Sequence, residues 1–102
     1  MLGLGELILP EGTDVSKITI APGTQAGDLL FISGSAGAKD GKLAGEDIES
    51  QARQSMENLG RVLKAGGSSW DKVVKGTCFL TQPQRDFAGW DVVFKEDFPK
   101  DP

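Results

Sequence analysis

The segment from Asp47 to Ala65 carries the strongest periodicity in the sequence. Glu46 and Asp47 would lie near the positive end of a helix dipole, and Gly66-Gly67 can form a left-handed cap at the other end. Apolar residues recur between them at helical spacing, namely Ile48, Ala52, Met56, Leu59 and Leu63. This spacing predicts an amphipathic helix. We expect the helix to cover one face of a β-sheet.

Short apolar runs before this helix predict the strands of that sheet. Ile18 and Ile20 alternate with polar residues, which is the period-two pattern of a half-buried strand, and Leu7 to Leu9 form a shorter run. Leu29 to Ile32 are continuously apolar, which predicts a strand inside the sheet with both faces covered. We expect Pro22 to Gln25 to interrupt the regular structure.

The remaining elements are a hairpin, a strand and a second helix. Asp40-Gly41 predicts a type I′ turn, and Val73 to Leu80 predicts a buried strand rich in β-branched residues. Asp86 to Phe98 predicts a helix with a core-facing aromatic stripe, formed by Phe87, Trp90, Phe94 and Phe98. Right-handed crossovers place both helices on one sheet face. The other face then needs a cover, which a homo-oligomer provides.

Composition limits the partners and the compartment. Eleven Lys and Arg oppose fifteen Asp and Glu, for a net charge of −4, and the basic residues do not cluster. This balance argues against a nucleic-acid partner. No stretch approaches the ~18 apolar residues of a membrane span. We expect one domain over residues 1–102, in the cytoplasm.

The chain has no histidine, and Cys78 is its only cysteine. An intrachain disulfide, a Cys/His zinc site and catalysis by Ser-His-Asp or Cys-His groups within the chain are therefore excluded. Catalysis would depend on carboxylates, backbone amides, hydroxyls, bound water or another chain. We interpret Cys78 as a core residue rather than a reactive thiol.

Several local patterns are similar, in order and spacing, to those of the Rid family (reactive intermediate deaminases, also called YjgF). They are Gly27–Gly34, Asp40–Leu43, Asp47–Gln54, Glu57–Leu59, Ala65–Ser69, Val73–Thr81 and Asp86–Ala88. The resemblance covers residues 18–102. It implies an α+β, chorismate-mutase-like fold with two helices on one sheet face, assembled as a homotrimer with ligand clefts between subunits. It also implies hydrolysis of reactive enamines and imines to ketoacids and ammonia, without a metal or organic cofactor.

The resemblance also suggests site residues. Ser33 matches the serine of the family's Ser-Gly motif at the cleft, so we predict it as a catalytic residue and the adjacent Gly34 as a substrate-binding residue. Asp91 falls where many members have asparagine, and Gly23 replaces the family's tyrosine; we predict both as substrate-binding residues. The structural alternatives are that Ser33 is a turn residue and Asp91 lies on a solvated helix face.

The resemblance leaves three functional hypotheses open. The first is a deaminase of 2-imino acids, and the second is a non-catalytic trimeric protein that binds a small metabolite. The third is RNA cleavage or translational inhibition, which the acidic charge disfavours. Family members continue with an arginine-bearing strand and a glutamate-bearing strand that are not among these 102 residues. We therefore expect a longer chain or a neighbouring subunit to cover the sheet edge.

Overall fold

The computed structural model describes residues 6–14, 16 and 21–98. Its strands are β1 (Glu6–Ile8), β2 (Gly23–Ala26), β3 (Leu29–Ile32), β4 (Ala38–Lys39) and β5 (Lys42–Leu43), and its helices are α1 (Ile48–Ala65) and α2 (Pro83–Asp97). A short 3-10 turn, Trp70–Lys72, lies between the helices. The order β1-β2-β3 forms an antiparallel sheet, and β4 and β5 form a separate hairpin. The strand predicted at Ile18 and Ile20 lies outside the described residues.

Strand β2 occupies the segment that we expected to be irregular, so that prediction was wrong. Gly23 pairs with Ile8 on one side and with Ile32 on the other. Pairing on both sides gives the backbone N–H and C=O groups of β2 their hydrogen-bond partners, and this outweighs the turn preference of Pro-Gly. Gly23 is buried against α1, and a Cβ at this position would lie 2.8 Å from Cγ1 of Val62. The missing side chain is what lets the helix approach the sheet.

Replacing Gly23 by alanine is expected to destabilise the fold. The added methyl group overpacks a site that Val62, itself buried, already fills. Overpacking of this kind costs about 1–3 kcal/mol. Urea unfolding measures the loss, with Gly76→Ala as the control because a Cβ there meets no atom within 4 Å. Equal unfolding free energies for the two variants would contradict the packing that we describe.

Strand β3 forms where predicted, but only one of its faces is covered. Leu30 lies against Gly66 at the end of α1, whereas Leu29 and Phe31 are each 58% exposed. Within the described part of the chain β3 pairs with β2 alone, so it is an edge strand. The prediction of an interior strand was therefore wrong for these residues. A continuous apolar run shows that both faces can be buried but not what buries them.

The hairpin and the first helix follow local sequence signals. Asp40 and Gly41 both have positive φ, at 53° and 79°, as the predicted type I′ turn requires. The Asp47 carboxylate caps α1 by accepting a hydrogen bond from the Ser50 backbone N–H at 3.0 Å. At the other end Gly67 has a φ of 72°, and the Ser68 N–H donates to the Leu63 carbonyl at 2.8 Å. This is the Schellman arrangement that the Gly-Gly pair predicted.

The cap at Asp47 is expected to make stability depend on pH. Hydrogen bonds from Ser50 lower the pKa of the Asp47 carboxyl, so its contribution is present above the ordinary pKa and is lost as pH falls through the folded-state value. Asp47→Asn keeps a capping oxygen but removes the charge. The stability difference between this variant and the wild type should shrink in urea titrations between about pH 6 and pH 3. The same shrinkage for Asp28→Asn, which alters an exposed aspartate outside the helices, would contradict this assignment.

The second helix packs beside the first. Val93 is 1% exposed, and Gly89 lies so close to Ile48 that a Cβ there would be 2.7 Å from its Cγ2 atom. An ion pair of 2.8 Å between Arg53 and Glu96 joins the exposed edges of the two helices. The predicted aromatic stripe is a continuous series of ring contacts, 4.5–5.8 Å between centroids, that also includes Trp70. The stripe is only half-buried, since Phe87 at its end is 56% exposed.

The segment Val73 to Leu80 is not a buried strand, so this prediction was wrong. It has no regular structure, and Val74 and Phe79 are 85% and 92% exposed. A strand needs a neighbour for its backbone hydrogen bonds, and none of the described residues pairs with this segment. Cys78 is exposed for the same reason, contrary to its predicted place in the core. Partial burial nevertheless raises the pKa of its thiol, which lowers the thiolate fraction.

None of the helices in the described residues is both long enough and apolar enough to cross a membrane.

Candidate functional site

An open cleft of about 800 Å³ lies where the sheet meets α1. Its walls are the loop after β1 (Pro10–Thr13), the residues before β2 (Ala21 and Pro22), the residues after β3 (Ser33–Ser35) and the face of α1 that carries Asn58, Leu59, Arg61 and Val62. The Ser33 N–H donates to the Pro22 carbonyl at 3.0 Å, which holds the two central walls together just beyond β3. The volume is within the range of small-molecule sites.

Ser33 lies in this cleft and is held by two hydrogen bonds. Its hydroxyl donates to the Ala21 carbonyl at 2.6 Å, in addition to the bond from its backbone N–H. The hydroxyl proton is therefore engaged, and the Oγ lone pairs remain available as acceptors. Ser33 is suited to accept a hydrogen bond from an N–H of a ligand. The same bond to Ala21 also fits the alternative in which Ser33 is a turn residue.

The other predicted site residues are divided between the cleft and the rest of the fold. Gly34 lines the cleft, where a Cβ would meet no atom within 4 Å. Gly23 is buried in the sheet against Val62 and is not part of the cleft wall. Asp91 lies on α2, outside the wall, and its Oδ2 atom is 3.0 Å from Nζ of Lys95. The structure thus brings Ser33 and Gly34 together but does not bring Gly23 or Asp91 into the same cleft.

Two polar residues of α1 in the wall were not predicted from the sequence. The Asn58 amide donates to the carbonyls of Ala38, at 2.9 Å, and Ala36, at 3.3 Å, and so fixes the chain between β3 and the hairpin. Arg61 is half-exposed, and its Nη2 atom is 3.0 Å from Oε1 of Glu57. Both lie one turn apart on the helix face that contacts the sheet ends. The spacing of Asn58 and Arg61 was visible in the sequence, but the loops that meet them were not.

Among the described residues no cluster of three or more His, Cys, Asp or Glu is placed to hold a metal ion. The prediction that neither a metal nor an organic cofactor takes part is not tested by this finding. The polar side chains in the described cleft wall are those of Glu11, Thr13, Ser33, Ser35, Asn58 and Arg61, in addition to backbone groups. They can bind and orient a small polar molecule, and water can enter from the open side.

The family model described as endoribonuclease L-PSP matches residues 19–102. The chain belongs to this family, the YjgF/Rid family. The resemblance and the α+β fold class predicted from the sequence are therefore confirmed. The solved structure of protein YjgH superposes with a TM-score of 0.85 at 28% identity, over 97% of this chain and 78% of that chain.

Two curated relatives show how much of each chain the sequence match covers. Protein mmf2, mitochondrial, of Schizosaccharomyces pombe is 45% identical over 74% of this chain and 59% of its own length. The 2-iminobutanoate/2-iminopropanoate deaminase of Mus musculus is 32% identical over 84% of this chain and 67% of its own length. The match to the first of these thus spans about three fifths of the relative. Because that relative is called mitochondrial, the cytoplasmic location of this chain stays a prediction.

Proposed function

We propose that the protein hydrolyses small 2-imino acids, or the enamines with which they interconvert, to 2-ketoacids and ammonia. The observation that carries the proposal is the hydroxyl of Ser33, a residue of the cleft wall, which donates its proton to the Ala21 carbonyl and keeps its oxygen free to act as a hydrogen-bond acceptor. An imine or iminium nitrogen carries the N–H that such an acceptor binds. A relative that is 32% identical is named as a deaminase of this substrate class, which supports the choice.

The reaction needs little covalent chemistry from the protein. Water adds its oxygen to the imine carbon, and the carbon–nitrogen bond of the resulting carbinolamine breaks. The nitrogen leaves as ammonia after it takes the protons that water supplies, and a ketone remains. The tasks for the protein are to hold the nitrogen, expose one face of the carbon to water and fix the substrate carboxylate. Ser33 serves the first task, and Gly34, which has no side chain, leaves room for the second.

We further propose that the chain assembles as a homotrimer through the outer face of the sheet. Leu7, Thr24 and Phe31 are cross-strand neighbours on that face, and Leu29 lies beside them. Leu7 is 46% exposed, and Leu29 and Phe31 are 58% exposed, so the face is apolar and uncovered. A contiguous apolar patch on a sheet is typical of a protein interface. In this assembly we expect a neighbouring subunit to adjoin the clefts. Gly23 is buried against Val62 and Asp91 lies on α2 beside Lys95, so the assembly gives neither residue a contact with substrate.

A semicarbazide competition assay tests the proposed activity. An amino-acid oxidase generates 2-iminobutanoate from 2-aminobutanoate, and semicarbazide traps the imine as a semicarbazone with measurable absorbance. The protein is expected to lower the rate of semicarbazone formation, because hydrolysis of the imine to the 2-ketoacid competes with trapping. Rates equal to those in buffer would reject catalysis and favour the non-catalytic binding hypothesis. Cleavage of single-stranded RNA that is lost in moderate salt would favour the third hypothesis, against the net charge of −4.

A further inference from the structure

The segment 33–38, which leaves β3 and forms part of the cleft wall, is tied to α1 by side chains of the helix. The amide N–H groups of Asn58 donate to three oxygen atoms of the segment: Oγ of Ser35 at 3.2 Å and the carbonyls of Ala36 at 3.3 Å and Ala38 at 2.9 Å. The Ser55 hydroxyl adds a bond of 2.9 Å to the Ser35 carbonyl. Contacts from one side of α1 therefore converge on the residues that directly follow Ser33 and Gly34.

The orientation of the Asn58 amide is fixed by a neighbouring amide on the same helix. Gln54 donates to Oδ1 of Asn58 at 2.8 Å, so the amide nitrogen points to the segment 33–38. The reverse orientation would bring the amide oxygen against the carbonyl oxygens of Ala36 and Ala38, which cannot donate. With three acceptors for two hydrogens, Asn58 has no N–H left for a ligand although it lines the cleft. Asn58 thus acts on the segment rather than on a substrate.

The anchor on Ser35 is close in sequence to the Ser33 hydroxyl. Only Gly34 separates the two residues, and a Cβ at Gly34 would meet no atom within 4 Å. An unpacked glycine permits many backbone conformations, so Gly34 by itself does not hold Ser33 in place. Ser33 is held on one side by its bonds to Ala21 and Pro22, and on the other side by the contacts that fix Ser35 to α1.

We propose that Asn58 is a positioning residue of the Ser33 site: it holds the segment 33–38 against α1 and thereby fixes the Ser33 hydroxyl. The proposal rests on the proposed function for the reaction in which that hydroxyl takes part. A displacement of about 1 Å at a reacting centre can cost on the order of 100-fold in rate. Ser33 keeps its bonds to Ala21 and Pro22 when Asn58 is replaced, so we expect a smaller loss, about tenfold.

Asn58→Ala is therefore expected to lower kcat/KM for 2-iminobutanoate hydrolysis about tenfold in the semicarbazide competition assay. Asn58→Asp keeps the shape of the side chain and an acceptor for Gln54 but, once ionised, has no hydrogen to donate, so it should show a similar loss. In a protein that already carries Ser33→Ala, Asn58→Ala should change kcat/KM by less than about twofold, because both residues act through the same hydroxyl. A merely structural role would give the tenfold loss in both backgrounds.

Gln51→Ala is the matched control for Asn58→Ala. The Gln51 amide also ties α1 to a loop, through a bond of 2.9 Å to the Gly45 carbonyl, but Gln51 is not among the described residues of the cleft wall. The alanine keeps the Cα and Cβ atoms of Gln51, against which Gly37 packs. This variant should hydrolyse 2-iminobutanoate at close to the wild-type rate.

Amide hydrogen exchange, followed by NMR, measures the positioning without any activity. Loss of the anchor should let the segment 33–38 open locally. The Ser33 N–H, which donates to the Pro22 carbonyl at 3.0 Å, should then exchange about tenfold faster in Asn58→Ala than in the wild type. The N–H of Val93, a residue of α2 that is 1% exposed, is the internal reference for global stability. The ratio of the two exchange rates should rise in Asn58→Ala and stay constant in Gln51→Ala.

The outcomes separate this proposal from the proposed function. Faster Ser33 exchange in Asn58→Ala, in a protein that does not hydrolyse imines, supports the positioning role and rejects the activity. Imine hydrolysis that Asn58→Ala lowers equally with and without the Ser33 hydroxyl rejects the positioning role and keeps the activity. Wild-type activity in Asn58→Asp, or a ratio of Ser33 to Val93 exchange that Asn58→Ala leaves unchanged, would also overturn the proposal.

Discussion

Replacing Ser33 by alanine is expected to lower kcat/KM for 2-imino acid hydrolysis by about 10- to 100-fold. The variant removes the oxygen that we propose to accept the substrate N–H, and single preorganised polar contacts at reacting centres have effects up to this size and beyond. Ser33→Thr keeps the hydroxyl and should retain more activity. Initial rates in the semicarbazide competition assay give the values for all three proteins.

The control for Ser33→Ala is Ser55→Ala, because the hydroxyl of Ser55 also donates to a backbone carbonyl. The Ser55 hydroxyl donates to the Ser35 carbonyl at 2.9 Å, much as the Ser33 hydroxyl donates to the Ala21 carbonyl at 2.6 Å, but Ser55 does not line the cleft. Either alanine variant leaves a carbonyl without its partner, which costs about 1–3 kcal/mol of stability if the carbonyl stays buried. Ser33→Ala should reduce kcat/KM much more than Ser55→Ala, although the carbonyl that loses its partner in Ser55→Ala belongs to Ser35 of the cleft wall. Equal activity in the two variants would assign Ser33 a structural role alone.

Replacing Phe31 by aspartate is expected to break the assembly into single chains. In the proposed trimer the side chain is buried between subunits, so the substitution loses about 1.5–3 kcal/mol of apolar burial per copy and adds an unpaired charge. The subunit dissociation constant should rise by at least about 100-fold. Analytical ultracentrifugation at several protein concentrations measures the change.

Val92→Asp provides the control for surface polarity, because Val92 is exposed to nearly the same extent, 56% against 58%, but lies on α2. It should sediment as the wild type does. Dissociation by both variants, or by neither, would contradict the assignment of the interface to the outer face of the sheet.

The parts of the fold that the sequence predicted correctly are those with local causes. Helix α1 begins after its Asp47 cap and ends at Ala65, two residues before the left-handed Gly67. The Asp40-Gly41 hairpin follows from the φ values that these residues tolerate. The predictions that were wrong concern which segments of the chain pair with one another. Gly23 to Gln25, which we expected to be irregular, belong to a strand because strands pair with them on both sides. Val73 to Leu80 form no strand and are mostly exposed, because none of the described residues pairs with them.

For the site, too, the sequence predicted only what a local motif carries. The Ser33-Gly34 motif was found through its similarity to the family, and both residues lie in the cleft. Arg61 was missed because a Glu57–Arg61 pair at a spacing of four is the ordinary pattern of a solvated helix face. Arg61 lines a cleft only because α1 packs against the loops after β1 and β3.

Native mass spectrometry of the protein with and without 2-ketobutanoate tests the central claim most directly, since it reports assembly and occupancy together. Three chains of 10.8 kDa give an expected mass of about 32 kDa, with up to three ligands bound, one per cleft. A well-folded species at the mass of a single chain, without bound ligand at any concentration, would contradict the account.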